Sequence, residues 1–381
     1  MDRTEARRAS ILIMAVFWLQ PICLGSWFAL IPFAQEALGL SKGQLAAALL
    51  AMPLALVPGL QIAGRMVARF GLRRVFAVMF PVQSLTILLP IAAWSGPSLF
   101  AALFIAGITI AFLEVGMNVY AGRLEKRADV MIMNRAHGFW ALGLTAGSGF
   151  TALMAGISPW AAMLPLAAVA TVGGVVISRL LPRLGDDDSG ETRLPRRRFA
   201  DLPPALIGIA VFMLCATLVE GAMADWAAVH LAERLGSVEG RAGLAVTIFS
   251  AALAAMRFAG DWTKRRMGAV PMARMSIGLA LAGVLILVLP VPLALTYAGY
   301  ALVGAGVAAA YPLGVSAVAA IDDTYESANI AIMATVALGG LVMGPPVIGF
   351  IAEVSSLNWG LAALIPALFT AMWLTHWLKP R

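Results

Sequence analysis

The sequence predicts an all-α membrane protein of twelve transmembrane helices, built as two parallel six-helix repeats with both termini cytoplasmic. Three observations carry this prediction. Of 381 residues, 61% are hydrophobic and only 12% charged, and the mean hydropathy is +0.89, whereas soluble globular chains carry about 25% charge. Apolar runs of membrane-spanning length follow one another along the whole chain. The stretches between them are alternately rich and poor in Lys and Arg. This composition excludes a water-soluble enzyme and a disordered binder.

The spans come first. A helix rises 1.5 Å per residue and needs about 20 apolar residues to cross a bilayer. Apolar runs broken by charge, Gly or Pro lie at 11–34, 44–68, 75–94, 98–122, 136–156, 160–181, 203–229, 242–261, 270–290, 293–319, 329–353 and 359–378. The turns between them leave no room for a soluble domain. The first run is too long, and too closely followed by others, for a cleaved signal peptide. Cys23 and Cys215 fall inside apolar runs and read as small packing residues.

Orientation follows from the basic residues. With a cytoplasmic N-terminus, only Lys42, Arg234 and Arg241 of the 27 lie on the far side, leaving 27 − 3 = 24 inside. An even number of spans with both ends inside produces that bias. The net charge of +7 is therefore a topology signal and a contact for anionic lipid at the cytoplasmic loops. It is no footprint of nucleic acid. The longest polar stretch, RLGDDDSGETRLPRRRFADLPP, lies between spans six and seven and reads as a flexible linker. It divides the chain into a six-helix half at 1–182, a cytoplasmic linker at 183–203 and a second six-helix half at 204–381.

The two halves repeat each other. Shifted by 197 residues, Gly39, Gly43, Gly71, Gly107, Gly143 and Gly147 fall on Gly236, Gly240, Gly268, Gly304, Gly340 and Gly344, and Arg69 falls on Arg266. Parallel repeats about an axis along the membrane normal place a binding site between the halves near the midplane and expose it by rocking. Gly143 with Gly147, and Gly340 with Gly344, form flat helix faces that permit close approach. Such faces serve either ordinary helix packing or as surfaces that slide when the halves rock.

Residues 64–74 read GRMVARFGLRR, which resembles the cytoplasmic G-x-x-x-D-R-x-G-R-R signature of the major facilitator superfamily. The usual Asp is Ala68 here, so the charge relay of that signature is altered; Arg69, Gly71 and Arg73 remain as gating candidates. The counterpart at 260–268, GDWTKRRMG, holds Asp261 and Arg266. The stretches GSWFALIP (25–32), EVGMN (114–118), HGFWALG (137–143) and EGAMADW (220–226) resemble a branch near the fucose-permease-like sugar symporters. That branch carries an Arg where this chain has Leu30, and an acid in the first helix where this chain offers only Gln20. The resemblance implies that helices one, four, seven and ten line a central cavity.

Ionisable groups inside a span are costly, about 2.5–3.5 kcal/mol on insertion scales, and are functional candidates for that reason. Glu114 lies in span four with Asn118 one turn on and on the same face. A carboxyl group there can take up and release a proton in each cycle; the alternative is a structural Glu bonded to Asn118. Glu220 and Asp225 lie in span seven, Glu220 as a coupling or substrate group, Asp225 as a substrate or gate residue. Arg257 and Asp261, four residues apart, read as a local ion pair closing the inner gate. His137 either relays protons or is a structural residue at a helix end; His230 and His376 read as peripheral. Trp27, Trp140 and Tyr311 offer aromatic faces with polar tips for a solute, although Trp27 and Tyr297 also suit interface anchors. Tyr311 falls opposite Glu114 in the repeat, since 114 + 197 = 311.

Arginine is scarce at the predicted midplane, which disfavours phosphate esters and multivalent anions as solutes. Scattered histidines without HExxH or a Cys/His cluster imply no metal, and no cofactor is expected. The absence of GxSxG and Walker motifs argues against a membrane enzyme and an ATP-driven pump. The expectation is a monomeric secondary transporter of the bacterial inner membrane that moves a small polar organic solute, sugar-like by preference, with protons. The alternative is a proton-driven exporter of amphipathic compounds.

Overall fold

The computed structural model describes residues 2–154, 156, 158–184, 202–237, 240–322 and 325–379, and all regular structure among them is helical. Six helical spans precede the central linker: α1 (Arg3–Ala37), α2 (Lys42–Phe70), α3 (Leu72–Ala92), α4 (Gly96–Ala128), α5 (Met133–Met154) and α6 (Pro159–Leu180). Six follow it: α7 (Pro204–Leu235), α8 (Gly240–Met267), α9 (Ala269–Val288), α10 (Leu293–Ala319), α11 (Ala328–Val354) and α12 (Leu357–Leu378). Most of the predicted linker, residues 185–201, lies outside the described residues.

Eleven of these segments are long and apolar enough to cross a membrane. The exception is α5, whose 22 residues span about 33 Å at 1.5 Å per residue. It is more polar because it packs against other helices over much of its length, with Thr145, Ser148 and Thr151 all hydrogen-bonded. Several helices run past their apolar runs. The fourth reaches Ala128 and the seventh Leu235, each ending on a left-handed residue, Asp129 or Gly236. Amphipathic ends continue a helix until a cap stops it.

Packing reproduces the repeat. Gly71 (φ 77°) and Gly268 (φ 82°) make the same tight turn between α2 and α3 and between α8 and α9, a conformation that side-chain-bearing residues resist. A Cβ at Gly107 would collide with the Met52 backbone, and one at Gly304 with the Phe249 carbonyl. Both pairs are related by 197 residues, since 52 + 197 = 249. Gly143 and Gly147 sit on the Trp18 and Ile22 carbonyls of α1, while Gly340 and Gly344 sit on Leu214 and the Gly221–Ala222 backbone of α7. These faces therefore close each half on itself. Of the two readings, ordinary helix packing holds and the sliding surface does not, because the sequence shows a flat face but not which helix it meets.

Other residues join the halves. Thr145 donates to Ser250 at 2.9 Å and Thr247 to Ser148 at 3.1 Å, pinning α5 on α8. At the end remote from the basic loops, Gly349 of α11 packs on Ala46 of α2, and Gly243 of α8 packs near Ala152 of α5. These two contacts are images of one another, since 46 + 197 = 243 and 152 + 197 = 349. Lys42 pairs with Glu233 at 2.8 Å, and the Gly43 N–H donates to Glu353 at 2.8 Å. One apolar core spans both halves toward this end, through Trp27, Leu49, Trp226 and Ile348. At the basic end the first half keeps a separate core, with Ile13, Phe17, Phe76 and Phe80.

Candidate functional site

Polar side chains from five helices converge between the halves. On α4, Asn118 Nδ2 donates to the Glu114 carbonyl at 2.9 Å and to its carboxylate Oε1 at 3.2 Å, as their one-turn spacing requires. From α8, Arg257 donates through Nη2 to Glu220 Oε1 of α7 at 3.0 Å, and through Nη1 to the His137 carbonyl of α5 at 3.3 Å. Arg257 also interacts electrostatically with Glu114. The His137 ring stands edge-on to Phe17 at 5.4 Å and tilted against Tyr311 of α10 at 6.3 Å, centroid to centroid. Tyr311 remains 39% exposed although the helix around it is largely buried, so its ring faces open space. It lies just past the break in α10 between Val307 and Ala310.

One turn along α5 from His137, the Trp140 indole donates to Gln20 Oε1 at 2.9 Å. Gln20 is buried at the point where Pro21 interrupts α1, and Gln83 of α3 donates to its carbonyl at 2.8 Å. Gln20 thus spends its polar atoms on holding the break and the indole. Pro21 lacks the N–H that would bond the Phe17 carbonyl and continue the helical ladder, and at the resulting interruption Gln83 takes the Gln20 carbonyl.

The predicted site residues divide. Glu114, Asn118, His137, Glu220, Tyr311 and Arg257 come together, with Trp140 and Gln20 beside them. Trp27 does not join them: it is fully buried, and its Nε1 has no hydrogen-bond partner among the described residues. Asp225 lies five residues from Glu220, about one and a half turns on, and so faces another direction. The expected Arg257–Asp261 pair is not made. Arg257 turns inward to Glu220, and Asp261 accepts from Asn134 of α5 at 2.6 Å. Four-residue spacing permits a local pair, but a buried guanidinium gains more from a buried carboxylate than from one at the helix end. Arg257 is the arginine that reaches the cluster among the described residues.

His230 is also not peripheral. It is buried, with Nδ1 2.7 Å from the Tyr300 hydroxyl, whereas His376 is exposed. At the basic end Arg69 lies over Phe70 at 5.3 Å and Arg266 over Trp262 at 4.3 Å. Arg73 donates to the Ser178 carbonyl at 2.9 Å and to that of Arg179. Residues that sequence reasoning missed include Phe17, Asn134 and Gln83. An amide inside a predicted span was a usable signal for Gln83; Phe17 and Asn134 carried none.

The family model described as Major Facilitator Superfamily matches residues 9–230. An uncharacterized transporter of Sinorhizobium fredii is 31% identical over 370 residues, covering 94% of this chain and 95% of its own. An uncharacterized MFS-type transporter of Yersinia pestis is 27% identical over 363 residues, covering 92% and 91%. Among solved structures, a mutant of the nucleoside transporter NupG superimposes with a TM-score of 0.75 at 12% identity, over 97% of this chain and 99% of that one.

Proposed function

The chain belongs to the major facilitator superfamily, and from that premise we propose that it is a secondary active transporter of the bacterial inner membrane that carries a small polar, sugar-like solute together with protons. The observation that carries this reading is the charge count between the halves. Arg257 bonds Glu220 and acts on Glu114 through space only, and among the described residues neither carboxylate has another cationic contact. Buried charges must be paired, and two carboxylates with one guanidinium are neutral only when one proton is bound. Glu220 has the direct contact with Arg257, which leaves Glu114, backed by the neutral Asn118, as the group that takes the proton.

Asn118, Trp140 and Tyr311 supply the hydrogen-bonding and stacking surface for the solute, and Gln20 acts by fixing the Trp140 indole. An amide, an indole and a phenol suit hydroxyl-bearing rings, and the resemblance around Glu114 and Glu220 to the fucose-permease-like branch favours the same class. With the basic end cytoplasmic, the seal of Gly349 on Ala46 and of Lys42 on Glu233 closes the outer side. At the basic end the first half's core is separate, although α5 and α8 still meet there through Asn134 and Asp261 and through Phe139 and Phe258. Rocking breaks the outer seal and closes the remainder of the basic end around the α5–α8 contact.

A ligand screen by thermal shift at about pH 5.5 and pH 7.5 tests the reading, because a bound ligand stabilises by mass action. Wild type and Glu114→Gln are compared against sugars, sugar acids, amino acids and cationic drugs. A polar hit whose pH dependence disappears in the variant supports the proposal. Hits confined to bulky hydrophobic cations overturn it in favour of an exporter.

A further inference from the structure

The basic end of the first half holds a cleft of about 540 Å³ between α3, α4 and α6. Five arginines line it, Arg73, Arg74, Arg123, Arg179 and Arg183, and among the described residues no acidic one does. Its frame is fixed. Arg73 is bonded to the carbonyls of Ser178 and Arg179, and the Tyr120 hydroxyl donates to the Pro182 carbonyl at 3.0 Å, which ties the end of α6 to α3 and α4. Arg123 lies half-buried at the wall, while Arg74, Arg179 and Arg183 are exposed at the rim.

The orientation bias alone does not explain this density. Shifted by 197 residues, Arg73, Arg74, Arg123 and Arg179 fall on Val270, Pro271, Ala320 and His376. At the positions of three other lining residues, Ala77, Pro182 and Leu184, the second half carries Arg274, Lys379 and Arg381, so the equivalent positions hold three cations against five. The cleft also continues into an apolar strip. Val78 lies one turn beyond Arg74 on α3, and Val172, Val176 and Leu180 run up α6 beside Arg179, all exposed. Among the described residues these two helices pack on one another and on their own half, so the strip faces the hydrocarbon of the membrane.

We propose that this cleft is a binding site for the phosphate headgroup of an anionic phospholipid, with the acyl chains lying along the α3–α6 strip. Guanidinium groups match phosphate oxygens in charge and geometry, and basic pockets between transmembrane helices suit such headgroups. A free phosphate shares the headgroup chemistry but has no use for the apolar strip, which is why the lipid is favoured. The site stands apart from the transport cluster and does not depend on the solute.

The test is native mass spectrometry of the full-length protein, delipidated in detergent and titrated with phosphatidylglycerol, phosphatidylethanolamine or inorganic phosphate. Wild type is compared with Arg74→Gln/Arg179→Gln, two exposed positions whose loss spares the Arg73 and Tyr120 frame, and with Arg265→Gln/Arg266→Gln as an equal loss of charge in the other half. The expected result is one preferred phosphatidylglycerol on wild type and on the second-half variant. Its affinity falls about thirtyfold in Arg74→Gln/Arg179→Gln, the effect of two surface cations. Equal binding by all three proteins, or equal loss in both variants, overturns the site. Inorganic phosphate that binds as tightly as phosphatidylglycerol overturns the lipid assignment.

Discussion

Arg257 of α8 reaches Glu220 of α7 at 3.0 Å, a contact that neither residue's sequence neighbours suggest. It places Arg257 between an acid of the second half and the His137 carbonyl of the first. A single side chain thereby bonds to both halves at the level where the solute would bind. Any event that changes the charge around Arg257 changes the bonding between the halves.

Removing Arg257 strands a carboxylate. The side chains of Arg257 and Glu220 are only 10% and 24% exposed, so Arg257→Met should cost about 3 kcal/mol, the lower range for breaking a buried pair. The double variant Arg257→Met/Glu220→Gln should recover most of that loss. Thermal unfolding in detergent reads both. A double variant as unstable as the single one would mean that Arg257 matters for packing and not for charge.

Gly349 tests the outer seal. A side chain there would overlap Ala46 and come within 2.7 Å of the Trp226 ring, wedging α11 from α2. Gly349→Leu should lengthen the distance between spin labels at Gln44→Cys and Val354→Cys by several ångströms. Gly340→Leu, which strikes the Leu214 carbonyl inside one half, should lower stability and leave that distance unchanged.

Gln20 holds the break in α1. Gln20→Ala leaves the Trp140 indole without its acceptor, at a cost of about 1–3 kcal/mol for an unsatisfied buried donor. Trp140→Phe/Gln20→Ala removes both partners and should be less destabilising than Gln20→Ala alone. Unfolding midpoints of the two variants decide this.

How much of this was legible follows from what a sequence records. Hydropathy registers membrane length directly, so the twelve helices and their order were readable; α5 fits least well because contact with other helices lets it keep Thr145, Ser148 and His137. Glycine spacing marked Gly143 and Gly340 as sites of close approach, but approach to what is a tertiary fact. Glu114 and Asn118 were legible because one turn joins them. Arg257 was not, since local spacing offered Asp261 and only the packing of α5, α7 and α8 offers Glu220. Trp27 looked available for a solute, and packing of both halves buries it.

The most direct test of the central claim compares two modes of transport in proteoliposomes holding Glu114→Gln, using a solute found in the ligand screen. Accumulation driven by a pH gradient requires a proton to load and unload, whereas exchange of internal for external solute does not. The account predicts that the variant loses pH-driven accumulation and retains exchange, with wild type performing both. A Glu114→Gln protein that still accumulates solute against its gradient when driven by pH would contradict it.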